Sequence, residues 1–192
     1  MTLSITTRFV RFFSSLERNT APWLPGALAR LVFAAVLLVY FLNSALTKTG
    51  DGFFGLFMIQ DVAYFQILPS VIEQYDFDAS QVPFIPWGFI VMLGTYSEII
   101  LPILIVIGLF TRLAALGMIG FVLVQSYVDI AFHGVDGKTI GSWFDNLSGA
   151  AILDQRALWM FLLIYLVIHG AGMLSLDRLL AGTVESHHRT FG

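Results

Sequence analysis

Four stretches of the chain are apolar over about 20 residues or more, each interrupted by a few polar positions that share a helical face: about Ala27 to Leu46, Trp87 to Phe110, Arg112 to Phe132 and Ala157 to Leu176. At 1.5 Å per residue each is long enough to cross a hydrocarbon core of about 30 Å. No other stretch is both that long and that apolar. The pattern predicts an all-α fold, an integral membrane four-helix transmembrane bundle.

The segments between the spans carry their own patterns. Ile5, Phe9, Phe12, Phe13 and Leu16 recur at helical spacing, with Arg8, Arg11 and Arg18 elsewhere on the wheel. This predicts a basic amphipathic helix lying at the membrane interface rather than a cleavable signal. Pro22 and Pro25 end it. The first loop, residues 47–86, is long and aromatic (Phe53, Phe54, Phe57, Tyr64, Phe65), which predicts one or two interfacial helices broken at Pro69. With Trp87 they would form a lid or a lipid-facing entrance, or an aromatic belt that anchors the bundle. The turn at residues 108–113, Gly-Leu-Phe-Thr-Arg-Leu, admits only an antiparallel hairpin, with Thr111 placed to cap the third span. The expected organisation is a basic segment over residues 1–26, a membrane domain over 27–180 and a tail over 181–192.

Composition sharpens this picture. Of the 192 residues 57% are hydrophobic and 12% charged, about half the charge of an ordinary soluble domain. No cysteine is present, which excludes membrane thiol oxidases that relay electrons through paired cysteines. Seven basic residues (Arg8, Arg11, Arg18, Arg30, Arg112, Arg178, Arg189) fall on the side of the termini, against three (Lys48, Lys138, Arg156) on the other. That asymmetry predicts cytoplasmic N- and C-termini.

The candidate chemistry lies within the spans. Glu98 is the one ionisable residue of the second span, and an acid at bilayer depth is costly enough to count as a functional candidate. Pro102 stands four residues on, where its ring opposes the carbonyl of Glu98 and predicts a kink. Gly94 thins the same face one turn earlier. The third span carries Gln125, Asp129 and His133 at i, i+4 and i+8, the fourth Tyr165 and His169 at i and i+4, and the first Tyr40, Asn43 and Ser44 near its outer end. Counting from the expected outer ends puts Glu98 and His169 both about 17 Å deep, so they are expected to meet. An acid facing an imidazole would relay protons or hold the polar head of a quinone; the plainer reading is a pair of polar residues hydrogen-bonded between helices. Haem is not expected, because the spans offer one deep histidine. No metal site is expected, since the acids of the second outer loop match no calcium spacing and His187 and His188 make a poor site alone. Gly170 and Gly172 suit close helix packing.

Several of these residues together resemble the DoxX family of small four-helix membrane proteins. The resemblance rests on Arg30 and Lys48 flanking the first span, Glu98 in the second, the hairpin Gly108-Leu-Phe-Thr111-Arg112-Leu-Ala-Ala, and the ending Gly170-Ala-Gly172-Met-Leu-Ser175-Leu-Asp177-Arg178, and covers about residues 27–180. Where the family has Gly-Pro-Gly this chain has Ala171 in the middle, so a more helical turn is expected there, and the first outer loop exceeds the family's usual one. Some relatives are the membrane subunit of a thiosulfate:quinone oxidoreductase, and others belong to oxidative-stress complexes with soluble redox partners. The resemblance thus implies a multi-pass protein of the bacterial cytoplasmic membrane, a membrane subunit of a quinone-linked redox system. Glu98 and His169 would handle protons or the quinone head, with Tyr165, Asn43, Gln125 and Asp129 around them, while Arg30, Arg112 and Arg178 dock a partner protein or lipid headgroups. A non-catalytic anchor or assembly subunit is the alternative, and a small-solute or proton carrier a further one. Lipid, quinone and a protein partner are the expected companions; nucleic acid is not.

Overall fold

The computed structural model describes residues 5–181, which form helices joined by turns, with one isolated antiparallel bridge between Thr49 and Ile59. Among the described residues four helices are long and apolar enough to cross a membrane: Leu24–Leu46, Phe84–Ile107, Thr111–Ala131 and Ala151–His169. All four expected spans are present with shifted ends. The fourth shifts most. It begins at Ala151 rather than Ala157 and stops at His169, where Gly170 turns left-handed at φ +74°. Gly172 is left-handed as well (φ +78°), so the expectation of a more helical turn around Ala171 is corrected. The last seven residues assigned to that span lie outside it.

An even number of crossings returns the chain to its starting side. The terminal end of the bundle carries the hairpin between the second and third spans; the loop end carries the two long connections. The core runs along the first span through Ala29, Phe33, Leu37, Phe41 and Ala45, all buried. A strict spacing of four drifts about 40° per step against 3.6 residues per turn. The helix widens to i→i+5 bonding over Ala34–Leu38, which takes up part of that drift and keeps Phe33, Leu37 and Phe41 facing Met118, Val122, Leu163 and Leu166. The third span packs along both the second and the fourth, and Gly117 brings its backbone up against Leu101. Pro102 sits buried inside the second span, whose helix continues through it from Phe89 to Ile107.

The first loop is a folded cap. Short helices run over Val62–Ile67 and Pro69–Ile72, interrupted at Leu68 as the proline requires. Val71, Ile72, Ala79 and Val82 form a small core of their own, with Tyr64 and Trp87 packed on it. Phe53, Phe54 and Phe57 stay exposed in an edge-to-face cluster. Asp136 starts a short helix in the second loop, Gly137–Ile140; accepting the Thr139 N–H holds its carboxyl below the usual carboxylate range. Before the spans, Ile5–Thr20 is helical as expected, and none of its residues is buried. His187, His188 and the rest of the tail beyond residue 181 lie outside the described residues.

At the terminal end a buried arginine ties three chain segments together. Arg30 Nε donates to Ala171 O (3.2 Å), Nη1 to Val106 O (2.9 Å) and Nη2 to Leu174 O. The expectation that Arg30 docks a partner or headgroup is corrected: it is 9% exposed and spends its donors on backbone carbonyls. The capping expectation is corrected too. Thr111 is fully buried with its hydroxyl unpartnered, and the third span is capped by Asp177, whose Oδ1 accepts from Phe110 N (2.7 Å) and Oδ2 from Thr111 N (3.0 Å). Gly108 admits this knot. Its φ is +72°, and a Cβ there would lie 2.7 Å from Ser175 Cβ and 2.9 Å from Arg30 Nη1.

Candidate functional site: a buried ion pair at the edge of a lateral cavity

The partner of Glu98 is Lys48. Lys48 follows the last turn of the first span, and its side chain leans back along the helix, as Cα–Cβ bonds on a helix do. Nζ lies 2.9 Å from Ser44 O, 2.8 Å from Ser44 Oγ, and 3.1 and 2.8 Å from Glu98 Oε1 and Oε2. Ser44 Oγ also donates to Glu98 Oε1 (3.1 Å). Both charges are nearly sealed, with 3% and 5% of their side chains exposed. An ion pair this buried is held only with its hydrogen bonds met, and here Ser44 supplies the extra acceptors and donor.

The cap accounts for the burial. Glu98 stands nine residues inside the helical part of the second span, so about 14 Å of helix rises beyond it toward the loop end. The first span ends near the level of the pair, and the loop fills the difference. Gln60 N–H donates to Lys48 O (2.9 Å), Tyr96 Oη to Leu56 O (3.2 Å), and Ile67 packs where a Cβ on Gly94 would meet it at 3.1 Å. Gly50 and Gly55 approach so closely that a Cβ on Gly55 would lie 2.2 Å from Gly50 C, which closes the loop tightly above Lys48.

Beside the pair lies a cavity of about 540 Å³ between the second and third spans. Ser44, Lys48 and Glu98 form its polar end; Ile67, Ile90, Phe121, Val124 and Val128 form apolar walls. Gly94, Ser97, Gly117 and Gly120 line it as well, and a Cβ at Gly120 would meet nothing within 4 Å. Leu93 and Val124 at its edge are more than half exposed, so the cavity opens sideways between the two helices, toward lipid.

A second polar group closes the loop end of the cavity. Asp129 Oδ2 accepts from Arg156 Nη2 (2.6 Å), while its Oδ1 lies 3.1 Å from His133 Nδ1. Arg156 Nη1 donates to Ser126 Oγ (2.9 Å), joining the third span to the fourth. Gln125 donates through Nε2 to Tyr40 Oη (3.0 Å), and its buried Oε1 has no donor among the described residues.

The residues expected at the site thus divide. Glu98, Gln125 and Asp129 share the cavity, as expected of one polar face. His169 does not meet Glu98: it is the last residue of the fourth span, exposed at the terminal end, stacked on Tyr165 at 4.3 Å between ring centroids. The depth count failed because the fourth span starts six residues earlier than expected (157 − 151), which lowers His169 by nearly two turns. Asn43 is exposed and does not line the cavity. Arg112 lies with His169 at the terminal end. Lys48 and Ser44 were legible as an i, i+4 pair, but Lys48 counted as an outer flank.

The acceptor inventory defines what the site offers. Glu98 Oε1 receives both Lys48 and Ser44, whereas Oε2 receives Lys48 alone. A carboxylate oxygen has two lone pairs, so Oε2 retains room for one donor.

The DoxX family model matches residues 26–133, which takes in Lys48, Ser44, Glu98 and the whole cavity-lining part of the third span. The chain belongs to the DoxX family. No curated protein and no solved structure matches it. The matched region holds the first three spans and the cap, so the cavity lies within the family's shared part, while the fourth span and the knot around Asp177 lie beyond it.

Proposed function

We propose that this DoxX protein is the membrane subunit of a quinone-linked redox system, acting on sulfur compounds or in oxidative-stress defence, with the Lys48–Glu98 cavity as its ligand site. The observation that carries the reading is a buried, hydrogen-bonded ion pair at the end of an apolar cavity that opens laterally. The protein would then lie in the bacterial cytoplasmic membrane, as the family resemblance implies, with both termini cytoplasmic on the seven-to-three distribution of basic residues.

The residues suit a quinone headgroup. The cavity volume lies within the usual range for small-molecule sites, its walls are apolar and aromatic, and its polar end offers an ammonium beside a carboxylate. When bound, a quinone supplies two-electron, two-proton chemistry. The chain's part is to bind, orient and exclude water. Lys48 fixes the Glu98 carboxylate and keeps a positive charge against the polar end. Ser44 sets the carboxylate's rotation. The open lone pair of Glu98 Oε2 would accept an O–H of the reduced, quinol form of the ligand. Asp129, held between Arg156 and His133, links the cavity to the loop end by hydrogen bonds.

Organic extraction of the purified protein tests the reading: quinone should be recovered from the wild type and fall about tenfold in Glu98→Gln, which removes the charge and keeps the shape. A wild type free of quinone, or a Glu98→Gln protein that retains it in full, contradicts the proposal. A second reading is an assembly subunit without chemistry of its own. It is favoured by the completeness of the Lys48 coordination, which pins the first span to the second whether or not a ligand is present. Full activity of a partner complex carrying Glu98→Gln would select it.

A further inference from the structure

A second hollow lies at the terminal end, about 550 Å³, where the third span begins and the fourth ends. Arg112, Arg178 and His169 line it. All three are exposed, and neither guanidinium forms a hydrogen bond or ion pair among the described residues. This contrasts with Arg30, whose three nitrogens are all bonded a few residues away. Asp177 also lines the hollow; its two oxygens accept one backbone N–H each, from Phe110 and Thr111, and it forms no ion pair with either guanidinium among the described residues. Two arginines against one carboxylate leave a formal charge of +1.

The hollow is fixed by parts that have no other use for its cations. Gly170 turns with φ +74°, and a Cβ there would press on Arg112 Nε at 3.3 Å, so the glycine leaves the guanidinium its place. His169 is held by its stack on Tyr165, 15° from coplanar. Exposed apolar side chains border it: Leu113 (69%) on the third span and Met173 (52%) after the fourth line the hollow, and Ile168 (60%) precedes His169 on the fourth span. Cations at the end of a membrane span, bordered by an apolar surface running down into the membrane, match a ligand with a phosphate head and hydrocarbon chains.

We propose that Arg112, Arg178 and His169 form a phosphate-binding site that holds the headgroup phosphate of a membrane phospholipid at the terminal end of the bundle. Arg112 and Arg178 would each donate to phosphate oxygens, for which the guanidinium fork is well shaped, and the acyl chains would lie along Leu113 and Ile168. The proposal stands apart from the quinone reading, whose residues are at the other end of the spans.

The test uses the full chain purified in a neutral detergent and titrated with phosphatidylglycerol, with bound lipid counted by native mass spectrometry. The wild type should bind lipid, and Arg112→Gln/Arg178→Gln should bind about 30-fold more weakly, the fold-change of two basic contacts at about 1 kcal/mol each. Arg8→Gln/Arg11→Gln, which removes the same charge from the N-terminal helix, should bind within about twofold of the wild type. Arg112→Lys/Arg178→Lys covers failure of the glutamine variant to fold: it should bind with intermediate affinity, and more weakly as salt is raised. Inorganic phosphate in place of lipid separates the sources. If it binds the delipidated wild type at micromolar concentration and not the double variant, the site stands with a soluble phosphate as its ligand. Equal binding by the wild type and Arg112→Gln/Arg178→Gln, or an equal loss in the N-terminal control, overturns the proposal.

Discussion

Arg30 and Lys48 sit at opposite ends of the same span, both buried, and they do different things with their charge. Arg30 gives its hydrogen bonds to three backbone carbonyls, Ala171, Val106 and Leu174, in a region where Gly26 and Gly108 leave no spare volume. Lys48 gives its bonds to a serine and a carboxylate that together form one wall of a cavity. Burial of a charge therefore does not mark a ligand site by itself. What marks it is space beside the charge and hydrogen-bonding capacity left over, and of these two buried charges only Lys48, through its partner Glu98, has both.

The sharpest way to break this comparison is to remove one charge at each end. Lys48→Met leaves Glu98 buried without its cation and should destabilise the protein by about 4 kcal/mol, measured as unfolding in detergent. The double variant Lys48→Met/Glu98→Leu should recover most of that loss, because an apolar pair of similar volume avoids the desolvation cost. Arg30→Met strands three carbonyls and should cost about 3 kcal/mol, with no double variant available to restore it, since its partners are backbone. Ligand binding by whatever fraction of Arg30→Met folds should be unchanged. If Lys48→Met/Glu98→Leu stays as unstable as Lys48→Met, the ion pair is not a self-contained unit.

A smaller effect is expected at the cap of the third span. Asp177→Asn keeps one acceptor near the Phe110 and Thr111 N–H groups and loses the negative charge at the helix start, for about 1 kcal/mol in thermal unfolding. A change of 3 kcal/mol or more would show that Asp177 does more than cap.

The sequence made the spans legible because hydrophobic length alone defines them, and Glu98 stood out because an acid within a span is rare. It could not reveal its partner by depth counting. The count assumed that each span begins where its apolar run begins. The fourth helix starts earlier, at Ala151, because Ile152 and Leu153 join it across Asp154, Gln155 and Arg156. Lys48 was hidden for a related reason: it lies past the last apolar residue of the first span, and only the cap folding over Gly50 and Gly55 turns an outer flank into an interior. Asp177 was hidden by distance, since its N–H partners are 66 and 67 residues away. The pairing of Gln125 and Asp129 with the Glu98 cavity was legible, because residues four apart on one helix must share a face.

The smallest expected effect on stability is the most informative about the cavity. Gly120 faces open space, so Gly120→Leu should change unfolding by no more than about 0.5 kcal/mol while filling the lateral opening next to Val124. The direct test is equilibrium binding of a short-chain benzoquinone to the purified wild type and to Gly120→Leu. The cavity reading predicts saturable binding by the wild type and at least a tenfold loss in Gly120→Leu at an unchanged unfolding midpoint; equal binding by the two proteins would contradict it.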